Sequence, residues 1–437
     1  MGRGVKAACL ALMLSQGLTM GQAPPLADPG GPLPAAPLVG TTDGLAGIPI
    51  GPVGEPVIDG GAIRRGAAGA SGAATLIPGV QMWLGAEYLM YFVSGSRVPI
   101  PLITSGVDSN AVSGALGQTG TQVLVGDQRF NNDPYHGIRM RFGIDLCDTG
   151  FGLEGVGFIL DQQVTSHVIP NQGQAPSVMG IPFINSTMNT EGVALIRFPE
   201  ALEGSSEVKM RTNLSGWEVN LGYACNTYLV DWGFIGYRTL NLTEGLFINN
   251  TIRTLQDDLA SFQGLPLAAG STGTIADSFR TSNDFYGGQF GAVKRLIYRN
   301  VAFEGRASVA FGTTRQRVSI DGYSTANGSD PVQGGLFAQG SNIGNTIRNE
   351  FSVIPEVGAS IYVQVFDCMV AYVGYNFLYW NNVARPGYEI DRKVNLTQVP
   401  YGPSFTTTLQ PPQPGVLYQS STDVIVHGLN AGLALQF

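Results

Sequence analysis

The residues that could do chemistry are charged side chains placed at alternate positions of apolar stretches. Arg139, Arg141 and Asp145 alternate with Ile, Met, Phe and Leu side chains between residues 137 and 146. Because successive side chains of a β-strand point to opposite faces, these charges share one face. Further charges with the same placement are Glu154, Glu218, Glu304, Arg306 and Glu356. Inside a barrel, charges of both signs could line the constriction of a polar pore, or they could pair with each other in a closed interior.

Histidines are the second group with catalytic potential, and the chain has His136, His167 and His427. Asp133 could orient His136, and Ser166 is next to His167. None of the three histidines lies in a nucleophile elbow or at metal-ligand spacing. Barrel enzymes need a histidine with a Ser or Asp partner. We therefore expect no enzymatic activity, no catalytic residue, no metal and no cofactor.

Four cysteines are present, and Cys9 falls in a predicted export signal. The remaining three, Cys147, Cys225 and Cys368, each fall at a predicted short turn. An odd number cannot form a complete set of disulfides. We expect free thiols in preference to a disulfide.

Composition favours a membrane barrel over an ordinary soluble domain. Only 13% of residues are charged, 60 are glycine, and no stretch is apolar for the length of a membrane helix. A barrel distributes its lipid-facing residues over alternate strand positions, so it has few charges and no such helix. A glycine-rich secreted β-protein has a similar composition. The net charge of -8 argues against a nucleic-acid partner.

The last strand, residues 423–437, has one apolar face and one small or polar face. Its end resembles the terminal signal that outer-membrane barrels present to their assembly machinery. The residues that match this signal are Asn430, Gly432, Leu435 and Phe437.

The N-terminal part predicts export followed by a flexible lead. Residues 1–23 combine Arg3 and Lys6 with a short apolar run and a small-residue cleavage site, as in a signal peptide. Residues 24–80 are rich in Pro, Gly and Ala and cannot bury enough apolar surface to fold, so we expect a disordered linker. Residues 81–437 form the predicted barrel.

Alternating patterns predict about ten long strands in an all-β fold. We expect these strands to form a closed, antiparallel up-and-down transmembrane β-barrel with short periplasmic turns and long extracellular loops. A further apolar segment, residues 193–198, is either a loop hairpin or an extra strand, which would make the number twelve. The predicted strands are about 81–93, 137–146, 151–161, 206–223, 228–248, 282–296, 298–313, 346–366, 369–381 and 423–437.

Four segments resemble a β-barrel porin family best known from planctomycete bacteria. They are WLGAEYLMYFV at 83–93, GIRMRFGIDLCDTGFGLEGVGFIL at 137–160, FIGYRTLNLTEGL at 234–246 and YVGYNFLYWNNVARPGYEIDRKVN at 372–395. The most specific piece is the strand before residue 383 together with the motif Arg385, Pro386, Gly387, Asp391 and Asn395. The family pattern continues after the glycine with Asp-Gln, where this chain has Tyr388 and Glu389.

This resemblance implies an outer-membrane barrel. The motif at residues 385–395 could be a plug, a ligand clasp or an assembly feature. We favour a structured loop base, with Pro386-Gly387 as a turn and Asp391 accepting backbone amides.

We expect the exported barrel to pass small solutes or ions across the outer membrane. The alternative is a non-conducting structural or adhesive barrel that acts through its long loops. The expected partners are outer-membrane lipid, the barrel-assembly machinery and small solutes or ions, and the oligomeric state stays open. Barrels of eight strands are filled by side chains, and ten strands lie near that limit.

Overall fold

A computed structural model describes residues 79–107, 112–146, 149–171, 176–225, 227–412 and 422–436. The predicted signal peptide and nearly all of the predicted linker lie outside these residues, as do Cys147 and Phe437. Among the described residues, no helix is long and apolar enough to cross a membrane.

Ten strands form the barrel, and we number them in chain order. They are β1 Val80–Val93, β2 Tyr135–Leu146, β3 Phe151–Leu160, β4 Leu202–Ala224, β5 Trp232–Thr254, β6 Thr272–Tyr298, β7 Val301–Ala326, β8 Gly344–Phe366, β9 Met369–Val383 and β10 Thr422–Gln436.

Each strand pairs antiparallel with the next, and β1 also pairs with β10, from Trp83 opposite Gln436 to Val93 opposite Val426. The sheet is therefore closed, and the prediction of ten strands is confirmed. The apolar segment 193–198 belongs largely to the strand Thr190–Arg197, which pairs with Val178–Asn185 outside the barrel. The segment forms a hairpin, so the twelve-strand alternative is not adopted.

The connections are asymmetric, as the sequence predicted. Short connections at 147–150, 225–231, 299–300 and 367–368 share one end of the barrel, which we call the turn end. The opposite end, the loop end, carries the long connections 94–134, 161–201, 255–271, 327–343 and 384–421.

The outward face of the barrel is apolar around the part nearer the turn end. Exposed outward side chains there include Leu84, Ile138, Phe142, Leu221, Ile235, Phe303, Val357 and Leu433. Towards the loop end, this surface finishes in an aromatic belt, which we define by Tyr88, Trp217, Tyr237, Tyr286, Tyr375 and Phe377. Aromatic rings of this kind favour the membrane–water interface, so the belt marks one edge of the hydrocarbon layer.

The described parts of the long connections are folded rather than structureless, which the sequence did not indicate. Strands Ser96–Gly106, Gln122–Phe130, Val178–Asn185, Thr190–Arg197 and Lys393–Val394 form a second sheet. This sheet packs on the extended ends of the barrel strands around a buried core that includes Leu102, Met179, Ile248, Phe279 and Phe337. We call this assembly the loop-end domain.

Smaller elements complete the described chain. Gln163–Ile169 pairs with β4, Val332–Gln333 pairs with β7, and Ser261–Phe262 pairs with Leu265–Pro266. Short 3-10 helices cover Pro386–Tyr388 and Leu396–Gln398.

Candidate functional site: the barrel interior

Inward-facing positions of the barrel strands bring charged side chains together in the half nearer the turn end. We call this layer the charged tier. Seven of the eight residues predicted to line the interior form ion pairs there: Arg139, Arg141, Glu154, Glu218, Glu304, Arg306 and Glu356. Asp145, the eighth, is partly buried nearer the turn end, opposite Gly152 in the ladder.

Arg306 on β7 is the centre of the largest group of charges. Its Nη2 atom donates to Glu154 Oε2 at 2.9 Å and to Glu218 Oε1 at 3.0 Å. Arg238 Nε donates to Glu218 Oε2 at 2.8 Å, and Arg238 also donates to Glu356. The group therefore ties together five strands, β3, β4, β5, β7 and β8, across the interior.

Glu87 on β1 is the acceptor of a second group. Arg141 Nε lies 2.6 Å from Glu87 Oε1, and Arg139 Nη1 lies 3.4 Å from Glu87 Oε2. Asn430 Nδ2 donates to Glu87 at 2.9 Å, and Asn376 Nδ2 donates to Asn430 at 2.9 Å. A third pair joins Arg295 Nε to Glu304 Oε2 at 2.5 Å.

Sequence reasoning missed Glu87, Arg238 and Arg295 as interior residues. A signal was available for Glu87, because it is the one charged residue in a strand of apolar and aromatic side chains. Arg238 similarly stands within a membrane-crossing strand. Charges in such strands face the interior because exposing them to lipid is costly.

An apolar tier lies between the charged tier and the loop-end domain. It is built from inward side chains of most barrel strands, including Leu214, Leu240, Leu242, Phe285, Ala310, Ile354, Trp380 and Val424. Phe285 and Trp380 contact each other edge to face, and Trp380 Nε1 donates to Thr314 Oγ1 at 3.0 Å.

The exposure of these side chains shows how the interior is filled. A water-filled pore would leave its lining accessible to water, yet Leu242, Phe285 and Trp380 are 0% exposed and Leu240 is 3% exposed. Two cavities that border Arg141 and Arg306 have volumes of about 40 and 80 Å³, and the smaller one also borders Leu214 and Leu240 of the apolar tier. Spaces of that size hold a few water molecules. At the apolar tier, the described side chains therefore pack against one another rather than around a channel.

The motif residue Arg385 lies beyond the apolar tier, at the base of the loop-end domain. Its Nε and Nη2 atoms donate to Glu244 Oε2 and Oε1 at 2.9 and 2.8 Å, and Nη1 donates to the carbonyl of Ser94 at 3.0 Å. Both partners of this two-bonded ion pair are buried. The contact fixes the 384–421 connection to strand β5.

The other motif residues also make backbone contacts. Pro386 and Gly387 lie in a buried 3-10 turn, and Asp391 Oδ1 accepts the amide of Lys393 at 2.8 Å. Asn395 accepts the amide of Thr397 at 3.0 Å and donates to the carbonyl of Pro412 at 2.9 Å. These are the contacts of a structured loop base.

The predicted terminal-signal residues divide between the two faces of β10. Asn430 faces the interior within the Glu87 group, and Gly432 faces the interior beside Tyr372. Leu435 is exposed on the outward face. Phe437 lies outside the described residues.

The histidines and the two described cysteines, Cys225 and Cys368, lie away from the interior network. His136 Nδ1 is 2.5 Å from Tyr88 Oη and His427 Nδ1 is 2.8 Å from Tyr375 Oη, both on the outward face. Cys225 Sγ donates to the carbonyl of Tyr223 at 3.6 Å, and Cys368 is an exposed free thiol. Within the described residues, no group of three or more His, Cys, Asp or Glu side chains could hold a metal ion.

Comparison with known proteins identifies the family. The family model described as "Putative beta barrel porin-7" matches residues 83–437. The chain belongs to this family. The porin-7 match and the closed barrel with an apolar outward face make it an outer-membrane β-barrel. Short turns face the periplasm in such barrels, which places the loop-end domain outside the cell.

No curated protein matches the chain. Among solved structures, the outer membrane protease OmpT from Escherichia coli is 10% identical with a TM-score of 0.30, covering 82% of this chain and 97% of its own. A FadL homologue from Pseudomonas aeruginosa is 6% identical with a TM-score of 0.20, covering 83% and 90%. The toluene transporter TodX from P. putida is 7% identical with a TM-score of 0.17, covering 82% and 90%. At these TM-scores the likenesses carry no argument about this chain.

Proposed function

We propose that this porin-7 member is a non-conducting outer-membrane barrel that holds the loop-end domain at the cell surface as a structural or adhesive platform. The observation that supports the proposal is the apolar tier, in which Leu242, Phe285 and Trp380 are 0% exposed. Ions do not cross a packed apolar layer because it offers no substitute for their hydration shell.

The energy needed to open this interior supports the proposal. Emptying the space of one large buried side chain costs about 2–5 kcal/mol, and a passage for solutes requires several to move together. The sum approaches the whole stability of a typical folded domain, about 5–15 kcal/mol. Spontaneous opening by rearranged side chains is therefore rare.

A passive channel for small solutes or ions is the second candidate. The two cavities beside Arg306 favour it, because they leave space for water next to charged side chains of the interior. The family description also includes the word porin. Under this candidate, the interior charges would select the solute.

Under either candidate, we propose that residues 1–23 direct export and that the assembly machinery recognises the last strand. Neither candidate assigns a catalytic role or a cofactor.

Current through a planar lipid bilayer distinguishes the two candidates. We expect the refolded wild-type protein to give no stepwise current, and Glu304→Gln and Arg306→Gln to give none either. Heat-modifiable gel migration verifies that each sample is folded, and an unrelated open barrel in the same membrane verifies detection. Stepwise currents whose ion selectivity shifts in the two variants would reject the closed barrel and establish the channel.

A further inference from the structure

Beyond the aromatic belt, the outward face of β4, β6 and β7 changes from apolar to basic. We call this surface the basic patch. Its members are Lys209, Arg211, Arg280, Arg315 and Arg317. It lies on parts of the strands that extend past the membrane-facing surface, and these side chains do not belong to the interior network.

The aromatic ring of Phe247 contacts two of these cations. The guanidinium carbons of Arg211 and Arg280 each lie 5.2 Å from the ring centroid of Phe247. Gly245 is opposite Arg280 in one ladder and opposite Arg211 in the other. The Phe247 ring lies over this glycine, since a Cβ atom at position 245 would be only 2.9 Å from the ring. The ring thus fixes both guanidinium groups on the same outward face, where their N–H donors remain able to bind an anion.

Three acidic groups share this face, Glu207, Asp284 and Asp321, and Asp284 is opposite Arg315 in the ladder, so the five cations keep an excess of positive charge. Glu207 pairs with Lys209 at 2.8 Å, and Asp284 accepts a hydrogen bond from Asn241. Among described residues, none forms a hydrogen bond or an ion pair with the guanidinium groups of four patch members: Arg211, Arg280, Arg315 and Arg317. A groove of about 290 Å³ runs beside Lys209, Arg211 and Arg280, and the acidic residues Glu207, Asp277 and Asp321 also line it. Guanidinium groups in such a groove are suited to two-bonded recognition of phosphate.

The distance of the basic patch from the membrane surface indicates which phosphate-containing lipids could reach it. Arg211 is six residues beyond Trp217 on β4, and Arg280 is six residues beyond Tyr286 on β6. Six residues span about 20 Å along a strand, or about 15 Å along the membrane normal for a strand tilted by about 40°. A phospholipid headgroup layer is only about 5–8 Å thick. A lipid with a large phosphorylated saccharide headgroup reaches this level, and a simple phospholipid does not.

We propose that the basic patch is a binding site for the phosphate groups of a phosphorylated saccharide lipid in the outer leaflet. The acyl chains of that lipid lie against the apolar outward face below the aromatic belt. Phosphates bind between Arg211 and Arg280, and Arg315 and Arg317 extend the site around β7.

Native mass spectrometry of the full chain in detergent tests the proposal with a defined probe. The probe is a lipopolysaccharide whose core saccharide carries phosphates, compared with the same lipid after enzymatic removal of those phosphates. The wild type should bind the phosphorylated form about tenfold more tightly, and the double variant Arg211→Gln/Arg280→Gln should lose this preference. The control variant Arg97→Gln/Arg253→Gln removes two exposed loop-end arginines outside the patch and should retain it.

A second variant separates charge from geometry. Phe247→Leu keeps every charge but removes the ring, so it should weaken the preference by about threefold. A patch double variant with the wild-type preference would overturn the proposal. Displacement of the lipid by an equal concentration of inorganic phosphate would also overturn it, because the site would then bind a small anion rather than a lipid.

Discussion

At the residue scale, Glu389 combines deep burial with an acidic group. Its side chain is 0% exposed in the 384–421 connection, outside the membrane-spanning strands. Burial raises the pKa of Glu389 to about 7, and the charge of Arg348 offsets only part of this effect. Within the described chain, no hydrogen bond reaches either carboxylate oxygen. The neutral acid is therefore the form that fits the folded loop-end domain.

This environment predicts that the loop-end domain loses stability as the pH rises. Because the folded pKa exceeds the unfolded value of about 4.5, the stabilising contribution is complete below pH 4.5 and is lost through pH 7. The loss at pH 8.5 is on the order of 3 kcal/mol. Amide hydrogen exchange of residues 386–399, corrected for intrinsic rates, should show about 2 kcal/mol of this loss between pH 5.5 and 8.5, because the remainder occurs below pH 5.5.

The variant Glu389→Gln supplies the control for this measurement. It removes the titrating group and should give nearly constant protection of residues 386–399 across the same range. If the variant loses protection with pH as steeply as the wild type does, Glu389 is not the cause.

Strand periodicity predicted the direction of most interior charges but not their partners. Arg139 and Glu154 were predicted to face inward because of their alternation with apolar residues. That Arg306 contacts Glu154, across the interior and 152 positions away, depends on the stagger of the strands around the barrel. Stagger is a property of the closed sheet, which the local pattern of one strand does not encode.

At the element scale, the β4–β5 pair depends on an aromatic ring packed over a glycine. A Cβ atom on Gly222 would lie 1.9 Å from the Trp232 ring, whereas a Cβ atom on Gly305 would meet nothing within 4 Å. Gly222 faces the interior and Gly305 faces outward. The two glycines therefore form a matched pair for substitution.

Gly222→Val should destabilise the barrel by about 1–3 kcal/mol, because the Trp232 ring must leave its place in a packed interior. Gly305→Val adds apolar surface on the outward face and should change the free energy of unfolding by less than about 0.5 kcal/mol. Urea unfolding in lipid vesicles, followed by gel migration, measures both. Equal stabilities of the two variants would show that the ring has room to move.

Sequence patterns located the membrane-crossing parts of the strands and missed their extensions. Strand β6 begins at Thr272 rather than near residue 282, and β7 ends at Ala326 rather than near 313. In these extensions the inward residues Phe279 and Ile320 are buried against the loop-end domain, while most outward residues are polar. Such strands depend on a distant partner sheet, so short-range alternation is a weak guide to their ends.

The prediction that β5 begins at residue 228 was wrong for a local reason. Thr227 bonds to Val230 through its hydroxyl and its backbone amide, and these contacts close a turn. The strand therefore begins at Trp232.

At the scale of the whole molecule, the closed barrel encloses two layers of side chains with different chemistry. The charged tier pairs acids and bases near the turn end, and the apolar tier separates it from the loop-end domain. The sequence predicted ten strands and an inward polar face. It did not predict that side chains fill the interior. The radius of a barrel depends on the number of strands and on their stagger, and the inward side chains fill the interior only if their size matches that radius.

Chemical accessibility of the apolar tier tests the central claim, that packed side chains close the interior. The measurement places Leu240→Cys in a background where Cys147, Cys225 and Cys368 are Ser, and adds a small charged methanethiosulfonate reagent to the protein in lipid vesicles. Tyr228→Cys, at a position that is 90% exposed, is the reactive control. A closed interior predicts that the thiol at position 240 reacts only after unfolding. Reaction at 240 in the folded barrel, at a rate near that of position 228, would contradict the closed interior and indicate a water-filled pore.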